Sequence, residues 1–259
     1  MKPRAEKIIA EEQAGFRAGR TNTKQIFNLR ILCEEHLQHQ QNLYHVSIDF
    51  KKVFDKVWHA ALWATIKKYN ISANLIRVIR HFSDKATGAV LFQQLELVRQ
   101  GCLLSPTLFS IFLERIMADT LEDRKGTVSI GSRTITNLRF AEDIDGLAGE
   151  GEELAKSVER LDKASTAYGM EIRAEKTKLM TNNTPGINTE TQVNGQKLET
   201  VTSFKYLGSV TTDEGSKPEI LSRIAQTTAA MKKLKPVWNN RNQDTTGALP
   251  CHIYLHVCL

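Results

Sequence analysis

The sequence has no apolar run approaching the roughly 18 residues that a helix needs to cross a bilayer. Its opening, "MKPRAEKIIAEEQ", is charged where a secretory signal would be apolar, so an intracellular protein, nuclear or cytoplasmic, is expected. Cysteine is scarce: Cys33, Cys102, Cys251 and Cys258 form no CxxC pair, which argues against a disulfide framework or a zinc ribbon. The tail "CHIYLHVC" sets His252 and His256 between two cysteines, a spacing that binds zinc only with supporting partners around it. Internal repeats and low-complexity tracts are absent as well.

Hydrophobic residues make up 41% of the 259 and charged residues 25%, a globular balance rather than a disordered one. That length is enough for one large or two modest domains with a real core. Lys and Arg outnumber Asp and Glu by 35 to 29, a surplus that permits a polyanionic partner without requiring one.

Apolar spacing predicts helices in "TKQIFNLRILCEEHLQHQ", "DKVWHAALWATIKKYN" and "SANLIRVIRHFSD", the last with Ser72 as N-cap. In "SPTLFSIFLERIMADTLED", Ser105 is the expected N-cap and Pro106 the first helical residue, with Leu108, Ile111, Phe112, Ile116 and Leu121 buried. "EGEELAKSVERLDKASTAYG" is an amphipathic helix closed by Gly169. One more helix carries the stripe Ile220, Ile224, Met231 and Leu234, and Pro236 should end it. "NLYHVSIDF" reads as a strand, "TVSIGSRTITNLRF" as two strands around Gly131-Ser132, and "FKYLGSVTT" as one short strand. The class is α+β.

Two acidic clusters end strands: Asp49 after "HVSI", and Glu142-Asp143 after "NLRF". Phosphoryl transfer with two Mg²⁺ needs such oxygen ligands, because the ions sit about 3.5–4 Å apart and must be held from fixed positions. Spacing alone equally allows a solvated polar turn.

The ordered blocks decide further. "SIDFKKVFDKVWH" resembles motif A (Asp-x-x-Lys-Ala-Phe-Asp) of reverse transcriptases from non-LTR, LINE-type retrotransposons. "VRQGCLLSPTLFSIFLERI" resembles their motif B, "LRFAEDIDGL" takes the place of motif C (Phe/Tyr-Ala-Asp-Asp), and "YGMEIRAEKTKLM" resembles motif D. "FKYLGSVTT" is similar to the primer-grip region and "EEQAGFRAGRTNTKQIFNLR" to the fingers motif. The blocks keep the family order from about Glu11 to Trp238.

The resemblance implies a right-hand polymerase palm over 41–200, partial fingers over 1–40, a primer-grip region and the start of a helical thumb over 201–240, and a divergent tail over 241–259. It implies RNA-directed DNA polymerase activity with Mg²⁺ or Mn²⁺ as cofactor. An RNA template, a DNA primer and deoxynucleoside triphosphates would be the partners. Asp49, Glu142 and Asp143 would bind the metals, and Lys176 would serve as a general acid near the pyrophosphate. Phe50, Phe54, Gln100 and Gly101 would contact substrate, with Phe54 excluding a ribose 2′-hydroxyl. Arg17, Arg20, Lys51, Lys52 and Arg99 would meet nucleic-acid backbone. Taken alone, Phe54 reads equally as a core residue, Gln100-Gly101 as a turn and Lys176 as part of a solvated face.

Five departures from the family, one of them the tail after "KPVWNNRN" that no longer resembles its thumb, suggest a truncated, impaired copy, or a nucleic-acid-binding relic without chemistry. Glu142 stands where the family has Asp, and its extra methylene moves the carboxylate by about 1.5 Å. Mg²⁺ takes oxygens at about 2.0–2.1 Å in strict octahedral geometry, so such a shift matters. Leu91–Val98 leaves too few residues for the strand-turn-strand expected before motif B. No Asn-Tyr-Arg-Pro-Ile stretch, the family's triphosphate contact, precedes Glu11, and no endonuclease sequence is present. Leu103 replaces a Pro in motif B, a milder change. Asp145 is not expected to replace Glu142, because it lies roughly 6–7 Å further along the strand.

Overall fold

A computed structural model describes residues 2–51, 59–69, 71–84, 104–123, 125–182 and 191–239. In chain order its helices are α1 (Lys2–Ile8), α2 (Asn22–Gln38), α3 (His59–Lys68), α4 (Ala73–Asp84), α5 (Ser105–Leu121), α6 (Gly151–Ala167) and α7 (Lys217–Asn239). The strands are β1 (Leu43–Ile48), β2 (Ser129–Ile130), β3 (Arg133–Thr134), β4 (Asn137–Phe140), β5 (Asp143–Ala148) and β6 (Lys178–Asn182). After them come β7 (Gln192–Val193), β8 (Gln196–Lys197), β9 (Glu199–Thr200), β10 (Ser203–Tyr206) and β11 (Ser209–Thr212). Among the described residues no helix is long and apolar enough to cross a membrane.

The central sheet runs in the order β4-β5-β1-β6-β9. Its middle strand, β1, is antiparallel to both β5 and β6. Period-two alternation divides the side chains of β1 between two cores. Tyr44, Val46 and Ile48 join Ile144 and Ala148 under α5 and α6. Leu43 lies on the other face with Leu138, Leu147 and Met180, covered by Leu29 and Leu32 of α2 and by Phe204 and Tyr206 of β10.

The helices at 22–38, 73–84 and 151–167 follow the apolar periodicity. Thr21 caps α2, its hydroxyl accepting from the Lys24 N–H at 3.2 Å. Ser72 caps α4 through Leu75 N–H at 3.4 Å. Gly169, at φ +77°, ends the α6 segment in the left-handed conformation that glycine takes without strain.

Several local expectations are corrected. Ser105 is the first helical residue of α5, and Leu104 is its cap with no side-chain bond. Leu108, Phe109, Ile111, Phe112, Leu113, Ile116 and Met117 are all buried because α1, α3 and α6 surround α5, so burial is not confined to one face. "FKYLGSVTT" is a hairpin, β10–β11, turning at Leu207-Gly208 with φ of +49° and +90°. Pro236 lies within α7 and does not end it, and the expected buried stripe shows Ile220, Ile224 and Met231 exposed. The helix is anchored to β11 at its start, where buried Glu219 meets Arg223 and Ser209, and among the described residues little else covers its apolar positions. The expected strand 133–140 also breaks, β3 pairing with β2 and β4 with β5.

The expected loss of a hairpin near 91–98, the zinc spacing in the tail, and the turn at Leu103 lie outside the described residues.

Candidate active site at the β1 and β5 strand ends

The β1–β5 register brings the two acidic clusters together. Ile48 pairs with Ile144, so one further step along the antiparallel ladder sets Asp49 against Asp143. Alternation sends Ile48 and Ile144 into the helix-covered core and turns both aspartates to the opposite face. Glu142 occupies the turn between β4 and β5, where Phe140 pairs with Asp143 across only Ala141 and Glu142. Ala141 has φ +58° and Glu142 does not, the pattern of a hairpin turn whose first central position normally holds glycine.

These acids feel one another. Burial by the surrounding chain, then the charge of Glu142 and of Asp49, push the Asp143 carboxyl up to about 6, although the residue is open to solvent on one side. Asp49 accepts an ion pair from Arg173, Nη1 to Oδ2 at 3.5 Å, and that buried oxygen has no hydrogen-bond partner. Two hydrogen bonds fasten the same segment to the residue after β1: Arg173 N–H donates to the Asp49 carbonyl at 2.7 Å, and Asp49 N–H to Thr177 Oγ1 at 3.3 Å.

Mutual repulsion and an inward oxygen lacking a donor are what a divalent cation would relieve, so the aspartate pair fits such a group. Among the described residues, however, no three His, Cys, Asp or Glu side chains converge on one point as metal ligands. The three expected ligands stand close enough for Glu142 and Asp49 both to act on the Asp143 charge, without forming such a set.

The other expected residues divide. Lys176 is exposed in the turn after Arg173, and Arg173 is the cation that contacts Asp49. Phe50, expected at the substrate, is 6% exposed and packs into the helix-side core, because it follows Asp49 and so points to the other face. Arg17, expected on phosphate, is buried, its guanidinium donating to the Ala10 carbonyl at 2.7 Å, the Gln13 carbonyl at 3.0 Å and Glu6 at 2.9 Å. Arg20 is partly exposed and pairs with Glu11, while Lys51 pairs with Glu171, which raises the lysine. Lys52, Phe54, Arg99, Gln100 and Gly101 lie outside the described residues.

Sequence reading missed a buried cluster beside the acids. His45 Nδ1 stands 3.3 Å from Asp145 Oδ2, and its Nε2 is 3.7 Å from Cys33 Sγ. Burial pulls the imidazole down, but Cys33 and Asp145 outweigh it and hold His45 protonated beyond neutral pH. Burial raises Asp145, and His45 offsets part of that rise. Asp145 Oδ2 is engaged by His45, while its buried Oδ1 has no hydrogen-bond partner. The period-two spacing of His45, Ser47 and Asp49 against Asp145 and Asp143 is the signal that one face carried all of them.

Residues 1–211 match the family described as Reverse transcriptase (RNA-dependent DNA polymerase), and the chain belongs to it. Relatives include the RNA-directed DNA polymerase from mobile element jockey of Drosophila funebris, 24% identical over 224 residues, covering 79% of this chain and 23% of the relative. The same element's polymerase in Drosophila melanogaster is 23% identical over 221 residues, covering 78% of this chain and again 23% of the relative. The chain therefore spans under a quarter of the curated relatives it matches, and these LINE-type polymerases agree with the resemblance read from the motifs. Among solved structures, apo telomerase from Candida tropicalis, truncated from its C-terminal domain, superposes with a TM-score of 0.56 at 16% identity, covering 82% of this chain and 42% of that one. Telomerase from Candida albicans, in complex with a fragment of telomeric RNA, gives 0.53 at 13% identity, covering 81% and 35%. The fold is that of a right-hand polymerase, in α+β form.

Proposed function

We propose that this chain is the palm-centred part of an RNA-directed DNA polymerase of a LINE-type element, with partial fingers before the palm and the start of a thumb in α7. The observation that carries the reading is the β1–β5 register, which sets Asp49 against Asp143 on one face beside Glu142. Asp49 and Asp143 would hold Mg²⁺ or Mn²⁺, with Glu142 as the third ligand. A divalent cation bound there would acidify a primer 3′-hydroxyl and neutralise charge on the transferred phosphate.

The chain's own groups do the rest. Arg173 pairs with Asp49 and holds its carboxylate at the site where a cation would bind. Lys176, exposed beside this segment, is the candidate proton donor to pyrophosphate. Arg20, Lys51, Lys52 and Arg99 would meet the RNA template and DNA primer, and Phe54, Gln100 and Gly101 the deoxynucleoside triphosphate. A second reading, nucleic-acid binding without chemistry, draws on the failure of three ligands to converge.

Primer extension on an RNA template, with Glu142→Asp beside the parent chain in Mg²⁺ and in Mn²⁺, separates the two. The shorter acid should raise the rate by about 10²-fold, the scale of a misplacement near 1 Å. No synthesis from either protein, with salt-dependent RNA binding retained, would favour the binding module.

A further inference from the structure

The segment Glu12–Gly15 lies along the free edge of β4 and reaches the acidic turn. Gln13 forms a parallel bridge with Arg139, Arg139 N–H donates to the Glu12 carbonyl at 3.0 Å, and Ala14 N–H to the Arg139 carbonyl at 2.8 Å. The Gln13 side chain is fully buried, and its carboxamide makes three bonds. Nε2 donates to the Ala141 carbonyl at 3.0 Å, and Oε1 accepts from Ala141 N–H and from Gly15 N–H, each at 2.8 Å.

Ala141 is the residue at φ +58°, a conformation disfavoured for any residue with a Cβ. Such backbone persists only where its surroundings over-determine it. A side-chain amide that grips both the N–H and the C=O of one residue fixes the peptide planes on either side of it. The second of those planes leads into Glu142 and Asp143. Gly15 permits the approach: a Cβ there would stand 2.1 Å from the Ala141 nitrogen. Arg17 and Gln25 secure the segment from behind, Gln25 Nε2 donating to the Glu12 carbonyl at 2.8 Å and the Arg139 carbonyl at 2.9 Å.

We propose that Gln13 is a positioning residue of the acidic turn, its carboxamide holding Ala141 in the strained conformation that aims Glu142 and Asp143 at the side of Asp49. The proposal rests on reading that turn as the metal-binding one. It gives the fingers motif "EEQAGFRAG" a role in geometry at the palm, with Gln13 and Gly15 as the residues that matter and Arg17 as their support.

The test is Mn²⁺ binding followed by electron paramagnetic resonance, together with amide exchange at Ala141 read by NMR without metal, both well below the unfolding midpoint. Gln13→Leu removes all three bonds, Gly15→Ala forces the segment away, and Gln13→Glu keeps the acceptor but loses the donor. Leu161→Ala, in the α6 face of the core, supplies a loss of stability remote from the turn. Gln13→Leu and Gly15→Ala should weaken Mn²⁺ by about 10–100-fold, the usual cost of losing a partner behind a metal ligand, and should speed exchange at Ala141. Gln13→Glu should fall between them and the parent, and Leu161→Ala should lower the melting midpoint with Mn²⁺ affinity unchanged. Unchanged affinity in Gln13→Leu, or an equal loss in Leu161→Ala, would overturn the proposal. Should the parent chain bind no Mn²⁺, the metal reading fails by itself. Exchange at Ala141 then decides the clamp, faster exchange in Gln13→Leu supporting it and unaltered exchange sinking it.

Discussion

Asp143 and Asp145 stand two residues apart on β5, with side chains on the same face of the sheet, yet they have become different acids. Asp143 is open to solvent and faces two like charges, Glu142 and Asp49. Asp145 is completely buried beneath β10, where the His45 ring lies 6.2 Å from that of Phe204, and it faces a cation. At Asp143 burial and like charges together disfavour the carboxylate, which a cation would relieve; at Asp145 a protein cation already stands against one oxygen, while the buried Oδ1 has no hydrogen-bond partner. Sequence neighbours of identical chemistry are thus assigned to function or to stability by what the fold brings opposite them.

The largest effect should come from breaking the buried Asp145–His45 pair. Asp145→Ala leaves His45 without its buried partner and should cost about 3–5 kcal/mol in chemical denaturation. Asp143→Asn should act with the opposite sign, because it removes a carboxylate whose charge is disfavoured by burial and then by Glu142 and Asp49. After allowance for solvent screening, a gain of about 1 kcal/mol at neutral pH is expected. A loss of stability in both variants would dissolve the contrast between the two acids.

The same difference sets a pH dependence. The folded Asp143 carboxyl, at about 6, binds its proton more tightly than the unfolded one, near 3.8. Its contribution to stability is therefore full below about pH 4, declines as pH rises to about 6, and stays flat above. Denaturation midpoints taken across that window should show the decline in the parent chain and a shallower one in Asp143→Asn. Smallest of all should be Arg173→Ala: its pair with Asp49 is partly exposed on both sides, so no more than about 0.5–1 kcal/mol is at stake. A much larger loss would show that Arg173 holds the segment 171–177 by more than charge.

Much of the frame was legible because its signals are short-range. The strand before Asp49, the turn at Glu142-Asp143 and the helices at 22–38 and 151–167 follow from periodicity and turn residues a few positions apart. Other local signals were present and misread, such as Leu207-Gly208 as the corner of a hairpin. Phe50 and Arg17 are buried, which residue type alone does not reveal. Their types suit substrate and phosphate, and only the packing around them reveals that one fills the core and the other donates to carbonyls.

By itself the sequence determined the family, the order of the motifs and which acids end which strands, since these depend on residue identity and local spacing. Tertiary structure alone decided that Asp49 meets Asp143, that Asp145 pairs with His45, and that Gln13 grips a turn 128 residues away along the chain. Register and burial are long-range choices, made by the whole sheet and its two cores together. No short window of sequence contains the energy that makes them.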